Sequence, residues 1–163
     1  DCLTLEAAHA VEVYNATCHW ESDRGDSWYM SDMLSALGRR LHAYAADDAH
    51  FKTRPDQRVA WVHVRAEQLD PDVLLAALKA GHFYSSQGPE LRNVEIAGGK
   101  LYVACSPAQG VFVSGLGSKS RSLLGEGITE CEFPLDRFQG SYCRVTVLDT
   151  AGRRAWTNPI WLA

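Results

Sequence analysis

The feature that most restricts the fold is a change of apolar period partway along the chain. Up to Gly81 apolar residues recur at both strand and helix spacing. Beyond the run Ser85-Ser86-Gln87-Gly88-Pro89 only short alternating stretches remain, separated by turn residues. Two styles in one chain predict two parts: an α/β layer over residues 1–88 and a β-rich domain over residues 89–163.

In the first part, Ala10 to Tyr14 reads as a strand and Glu21 to Ser27 as a polar loop. Trp28 to Leu37 reads as a helix, with Met30, Met33, Leu34 and Leu37 as its apolar stripe and Gly38 as its stop. Leu41 to Ala46 and Val59 to Arg65 are further strands. The clearest helix follows: Asp70 is a good N-cap, Pro71 suits the first helical position, Val73, Leu74, Leu75, Ala77 and Leu78 make the apolar face, and Gly81 fits a left-handed end. Strand, helix, strand, strand, helix with short connections predicts parallel strands.

In the second part, Val94 and Ile96 lead through Gly98-Gly99, a hairpin turn, to Leu101 to Cys105. Val111 to Val113, Ile128 to Phe133 and Tyr142 to Leu148 follow as strands, and Asp149-Thr150-Ala151-Gly152 turns the chain into Arg153 to Trp156. No helix is expected after Gly81. The pattern predicts an antiparallel sheet or small sandwich.

With 163 residues, 46% of them hydrophobic, the chain can bury a sizeable core. A net charge of −4 supplies no general basic field, which argues against nucleic acid or an anionic membrane as the main partner. No apolar run is long enough for a membrane-spanning helix. Cys2, Cys18, Cys105, Cys131 and Cys143 are odd in number and contain no Cys-x-x-Cys pair, so they read as reduced thiols and suggest a cytoplasmic setting. The opening Asp1-Cys2-Leu3-Thr4-Leu5 has neither an initiator Met nor a signal sequence, and reads as cut from a larger protein.

Chemistry concentrates in Tyr44-Ala45-Ala46-Asp47-Asp48-Ala49-His50-Phe51, where a strand gives way to a polar loop. Asp48 and His50 are a carboxylate and an imidazole at a strand's carboxyl end, donors that suit a hard or borderline cation. Two donors alone do not complete a site, and the bland alternative is a solvated loop with an Asx-turn at Asp47. Asn15 and Arg24 follow the first strand on the same expected rim and could contact a phosphate. A loop or helix-entry hydrogen bond is the competing role for each. His19 reads as a loop histidine, and His9, His42, His63 and His82 as structural or exposed.

Several segments, in order, carry a resemblance: Glu12-Val13-Tyr14-Asn15, Arg24-Gly25-Asp26-Ser27, Ala46 to Phe51, Leu74 to Gly81, Phe83 to Pro89, and Ala155-Trp156-Thr157-Asn158-Pro159-Ile160-Trp161-Leu162. Together the series resembles the later part of bacterial PHP-domain proteins, the polymerase and histidinol phosphatase superfamily. The resemblance implies the last strands and helices of a (β/α)7 TIM-like barrel, followed by a sandwich-like β part. It also implies a multinuclear zinc, manganese or iron site that hydrolyses small phosphorylated substrates, with Asp48 and His50 matching the family's last Asp-x-His ligand pair.

The family's opening His-x-His, its further histidines and its bridging Glu have no counterpart in these residues. The chain is therefore expected to be inactive alone, and to meet the missing half of its site or to self-associate. The alternative from another class is a non-catalytic binding or regulatory module in which the ligand pair is a relic.

Overall fold

In the computed structural model, which describes residues 6–51 and 55–163, the chain divides into two units, residues 1–85 and 86–163. Cys2 and the opening segment lie outside the described residues.

The first unit begins with β1 (Ala10–Asn15), whose last residue also starts a helix. The Asn15 side-chain oxygen accepts from the backbone N–H of Cys18, which caps α1 (Ala16–Ser22). Asp23 closes α1 in the left-handed region at φ 55°. The chain then doubles back beside β1: Asn15 N donates to Gly25 O, and Ser27 N to Val13 O. α2 (Trp28–Ala36) ends at Gly38, whose φ of +81° favours glycine.

β2 (His42–Ala46) runs parallel to β1, placing Asn15 beside Ala46. β3 (Trp61–Val64), α3 (Pro71–Lys79) and β4 (Phe83–Ser86) complete the unit. Asp70 caps α3 through the N–H groups of Asp72 and Val73, with Pro71 at the start and Gly81 at φ +75° beyond the end.

In the second unit β5 (Leu91–Ala97) and β6 (Lys100–Gly115) form a hairpin through Gly98 and Gly99, both at positive φ. β7 (Ser120–Pro134) pairs antiparallel with β6, and a single 3₁₀ turn, Asp136–Phe138, leads on to β8 (Tyr142–Leu148). β9 (Arg154–Thr157) and β10 (Ile160–Trp161) each pair antiparallel with β8.

The expected separate strands Leu101 to Cys105 and Val111 to Val113 are one continuous β6. Its first half pairs with β5 and its second with β8. Register shifts between Ala104 and Gly110 separate the halves, and side chains change face there: Leu101, Val103 and Cys105 are buried, then Ala108, then Val111 and Val113. Together with Leu135, Phe138, Tyr142, Val145 and Val147 they form the core of this unit.

The TIM-like barrel expectation is overturned. β1 and β2 form a parallel pair in a two-stranded sheet of their own, apart from the larger sheet. A doubly covered parallel sheet needs a helix for each strand crossing, whereas the three helices here have 7, 9 and 9 residues against ten strands among the described residues. The architecture is an open, mostly antiparallel sheet with few helices. The sandwich-like expectation is likewise replaced, because β5, β6, β7, β8, β9 and β10 belong to one hydrogen-bonded sheet.

The α2 stripe is also out of phase. Trp28, Ser31, Leu34 and Ser35 are the buried residues, while Met30, Met33 and Leu37 are exposed. Helical spacing fixed the period and left open which side would find a neighbour.

Candidate functional site

The parallel register brings the carboxyl ends of β1 and β2 together, and Asn15 ties them. Its side-chain nitrogen donates to Asp48 Oδ2 at 3.2 Å and to Glu12 Oε2 at 3.1 Å, while its oxygen caps α1. Both amide hydrogens and the carbonyl are thus engaged. Asn15 is 9% exposed. Glu12 lies opposite Tyr44 across the pair. Burial, then the Glu12 charge, pushes the Tyr44 hydroxyl above its ordinary pKa.

The segment after β2 is irregular backbone held by side-chain oxygens. Asp47 Oδ1 accepts from the N–H groups of Val59 and Ala60, each at 2.8 Å, and Asp47 Oδ2 accepts from Arg58 N at 2.5 Å. The expected local Asx-turn at Asp47 is therefore a longer clamp, reaching eleven to thirteen residues ahead. Asp47 O accepts from Thr17 N at 3.1 Å, satisfying one of the open N–H groups in the first turn of α1.

A second clamp is buried. Asp56, 3% exposed, accepts at Oδ2 from the His50 backbone N–H and the Thr17 hydroxyl, each at 3.1 Å. Thr17 Oγ1 also lies 2.7 Å from Asp48 O, so its one proton serves both acceptors. The His50 N–H, more than the Thr17 hydroxyl, holds the Asp56 carboxyl below its ordinary pKa against the opposing effect of burial.

The clamps leave Asp48 and His50 facing outward, both exposed, with Asp48 in the left-handed region at φ 50°. Arg24 is exposed and adjoins Gly25, whose carbonyl meets Asn15 N. Gly25 is required by close approach: a Cβ there would lie 2.5 Å from His19 Cβ and 2.7 Å from Asn15 O. His19 sits on α1, with its ring against Tyr14 and Trp20.

Among the sequence-predicted residues, the structure joins Asn15 directly to Asp48, places His50 two positions on in the same clamped loop, and brings Arg24 next to the Asn15 backbone partner. Thr17 and Asp56 carry no local signal. Thr17 lies in a short helix without a repeating apolar face, and Asp56 follows Pro55 in a stretch that reads as a solvated turn.

One carboxylate and one imidazole fit a borderline cation as two of its ligands. Among the described residues, no group of three His, Cys, Asp or Glu side chains is placed to hold a metal ion. The described cysteines Cys18, Cys105, Cys131 and Cys143 are free thiols, and among the described residues no helix is long and apolar enough to cross a membrane. No family model, curated protein or solved structure matches the chain.

Proposed function

We propose that this chain forms one wall of a metal-dependent phosphoesterase site, with Asp48 and His50 as two of its ligands and the remaining ligands supplied from outside the chain. The observation that carries the reading is the Asn15 to Asp48 hydrogen bond, which fixes a carboxylate where two neighbouring parallel strands end. Loops after parallel strands converge there, and a substrate can reach several of them at once.

A bound zinc, manganese or iron ion would lower the pKa of a water and neutralise charge on phosphoryl oxygens. Within this chain, Asp48 and His50 would hold the ion, Asn15 orients Asp48 by donating to its carboxylate, and Arg24 would supply a guanidinium for a phosphate oxygen. The substrate class is a small phosphorylated molecule, and the reduced thiols suit a cytoplasmic setting.

The test is hydrolysis of phosphate esters by the full-length protein that carries this chain, with added Mn²⁺ or Zn²⁺. Asp48→Asn is the apt variant because Asn tolerates the left-handed backbone at this position. The expected result is a loss of at least about a hundredfold in Asp48→Asn and in His50→Ala. Unchanged turnover in both removes the pair from the chemistry. No turnover by the natural sequence on a broad ester panel shifts the assignment to a binding module.

A further inference from the structure

We infer that Asp56 is the positioning residue of the ligand pair, setting the orientation of Asp48 and His50 from beneath the loop. This inference rests on the metal-site reading above and adds a residue that touches neither metal nor substrate. Asp56 Oδ2 meets the His50 backbone N–H at 3.1 Å, and Thr17 Oγ1 links the same oxygen to the Asp48 carbonyl, at 3.1 and 2.7 Å. One buried carboxylate thus fixes the backbone at both outward residues. These contacts cross 39 and 6 positions of sequence, so they hold the loop against α1 as well as against itself.

The two carboxylate oxygens differ. Asp56 Oδ1 is buried and has no hydrogen-bond partner among the described residues. That leaves Oδ2 as the oxygen through which Asp56 holds the loop. Outer residues that orient metal ligands affect affinity in a characteristic way: loss of one weakens the metal about 10–100-fold while the ligands themselves remain.

The experiment measures Mn²⁺ affinity of the full-length protein by electron paramagnetic resonance in the natural sequence, Asp48→Asn, Asp56→Ala, Asp56→Asn and Thr17→Val. The melting temperature of each is measured alongside. The expected result is Mn²⁺ binding weakened about tenfold or more in folded Asp56→Ala, partly restored in Asp56→Asn, whose side-chain oxygen still accepts, and weakened in Thr17→Val.

A purely structural Asp56 would lower the melting temperature while the folded protein bound Mn²⁺ as before, and that result overturns the inference. Should Asp56→Ala fail to fold, the isosteric Thr17→Val decides on the same criterion. If Asp48→Asn binds as tightly as the natural sequence, the metal-site reading has failed, and the positioning role falls with it. If Asp48→Asn loses Mn²⁺ while both Asp56 variants and Thr17→Val keep it, only the positioning role is lost.

Discussion

The two units hold their backbones in order by different means. In the second, β6 alone pairs with β5, β7 and β8, and main-chain ladders satisfy the polar groups while alternating Val, Leu and Cys side chains fill the core. In the first, the described residues of the loop after β2 form no ladder, and two carboxylates supply the acceptors: Asp47 for three successive N–H groups and Asp56 for His50. A ladder fixes strands but leaves little freedom to aim individual side chains. Irregular backbone pinned by Asp can present two polar residues outward at a chosen angle, at the cost of depending on a few side chains.

That contrast is broken most severely in the core of the second unit. Leu101 and Phe138 are both 0% exposed. Leu101→Ala is expected to cost about 2–5 kcal/mol and Phe138→Ala about 3–5 kcal/mol in urea unfolding, while the amide signals of His50, Arg58, Val59 and Ala60 in the first unit stay as they were. Simultaneous loss of order in both regions would refute the separation.

Asp47→Ala comes next. It strips the acceptor from Arg58, Val59 and Ala60 and is expected to cost about 1–3 kcal/mol, with hydrogen exchange accelerated at those amides. The second-unit ladder should keep its protection.

A finer probe is acid titration of the loop. Because the Asp56 carboxyl lies lower in the folded state than its ordinary value of 3.8, its stabilisation is present above that value and is lost as pH falls through the depressed folded one. The His50 amide resonance should therefore move with a midpoint below pH 3.8, and movement centred at or above it would contradict the clamp. The smallest effect concerns the thiols. Burial pushes Cys143 up to about 12 and Cys131 to about 11. Mass spectrometry after mild alkylation at neutral pH should find Cys143 unmodified until the protein unfolds.

How far the sequence carried these features depended on the range of the interactions involved. The α3 caps, the Gly98-Gly99 hairpin and the Asp149 turn are local devices. Asp149 accepts from Ala151 N and Arg153 N within four residues, and such contacts are written in adjacent letters. The fused β6 was not legible, because its register shifts at Ala104 to Gly110 appear only once the partner strands are known.

The antiparallel pairing of the second unit was expected from its short strands and turns, but the strand arrangement of the first unit was not legible. Alternating strand and helix signals in the first unit pointed to parallel strands, yet local periodicity does not say which strands will neighbour one another. At the candidate site, Asp48 and His50 stand out by residue type, and the helix-entry hydrogen bond weighed for Asn15 is the one it makes at the start of α1, a helix too short to show an apolar stripe in the sequence. The Thr17 to Asp56 link, 39 positions long, has no sequence signature.

The most direct test of the central claim is to add Mn²⁺ to the isotope-labelled protein and map paramagnetic broadening residue by residue. The account predicts broadening centred on Asp48 and His50, reaching Asn15 and Thr17, and abolished by Asp48→Asn. Broadening scattered over surface carboxylates, or unchanged in that variant, would contradict it.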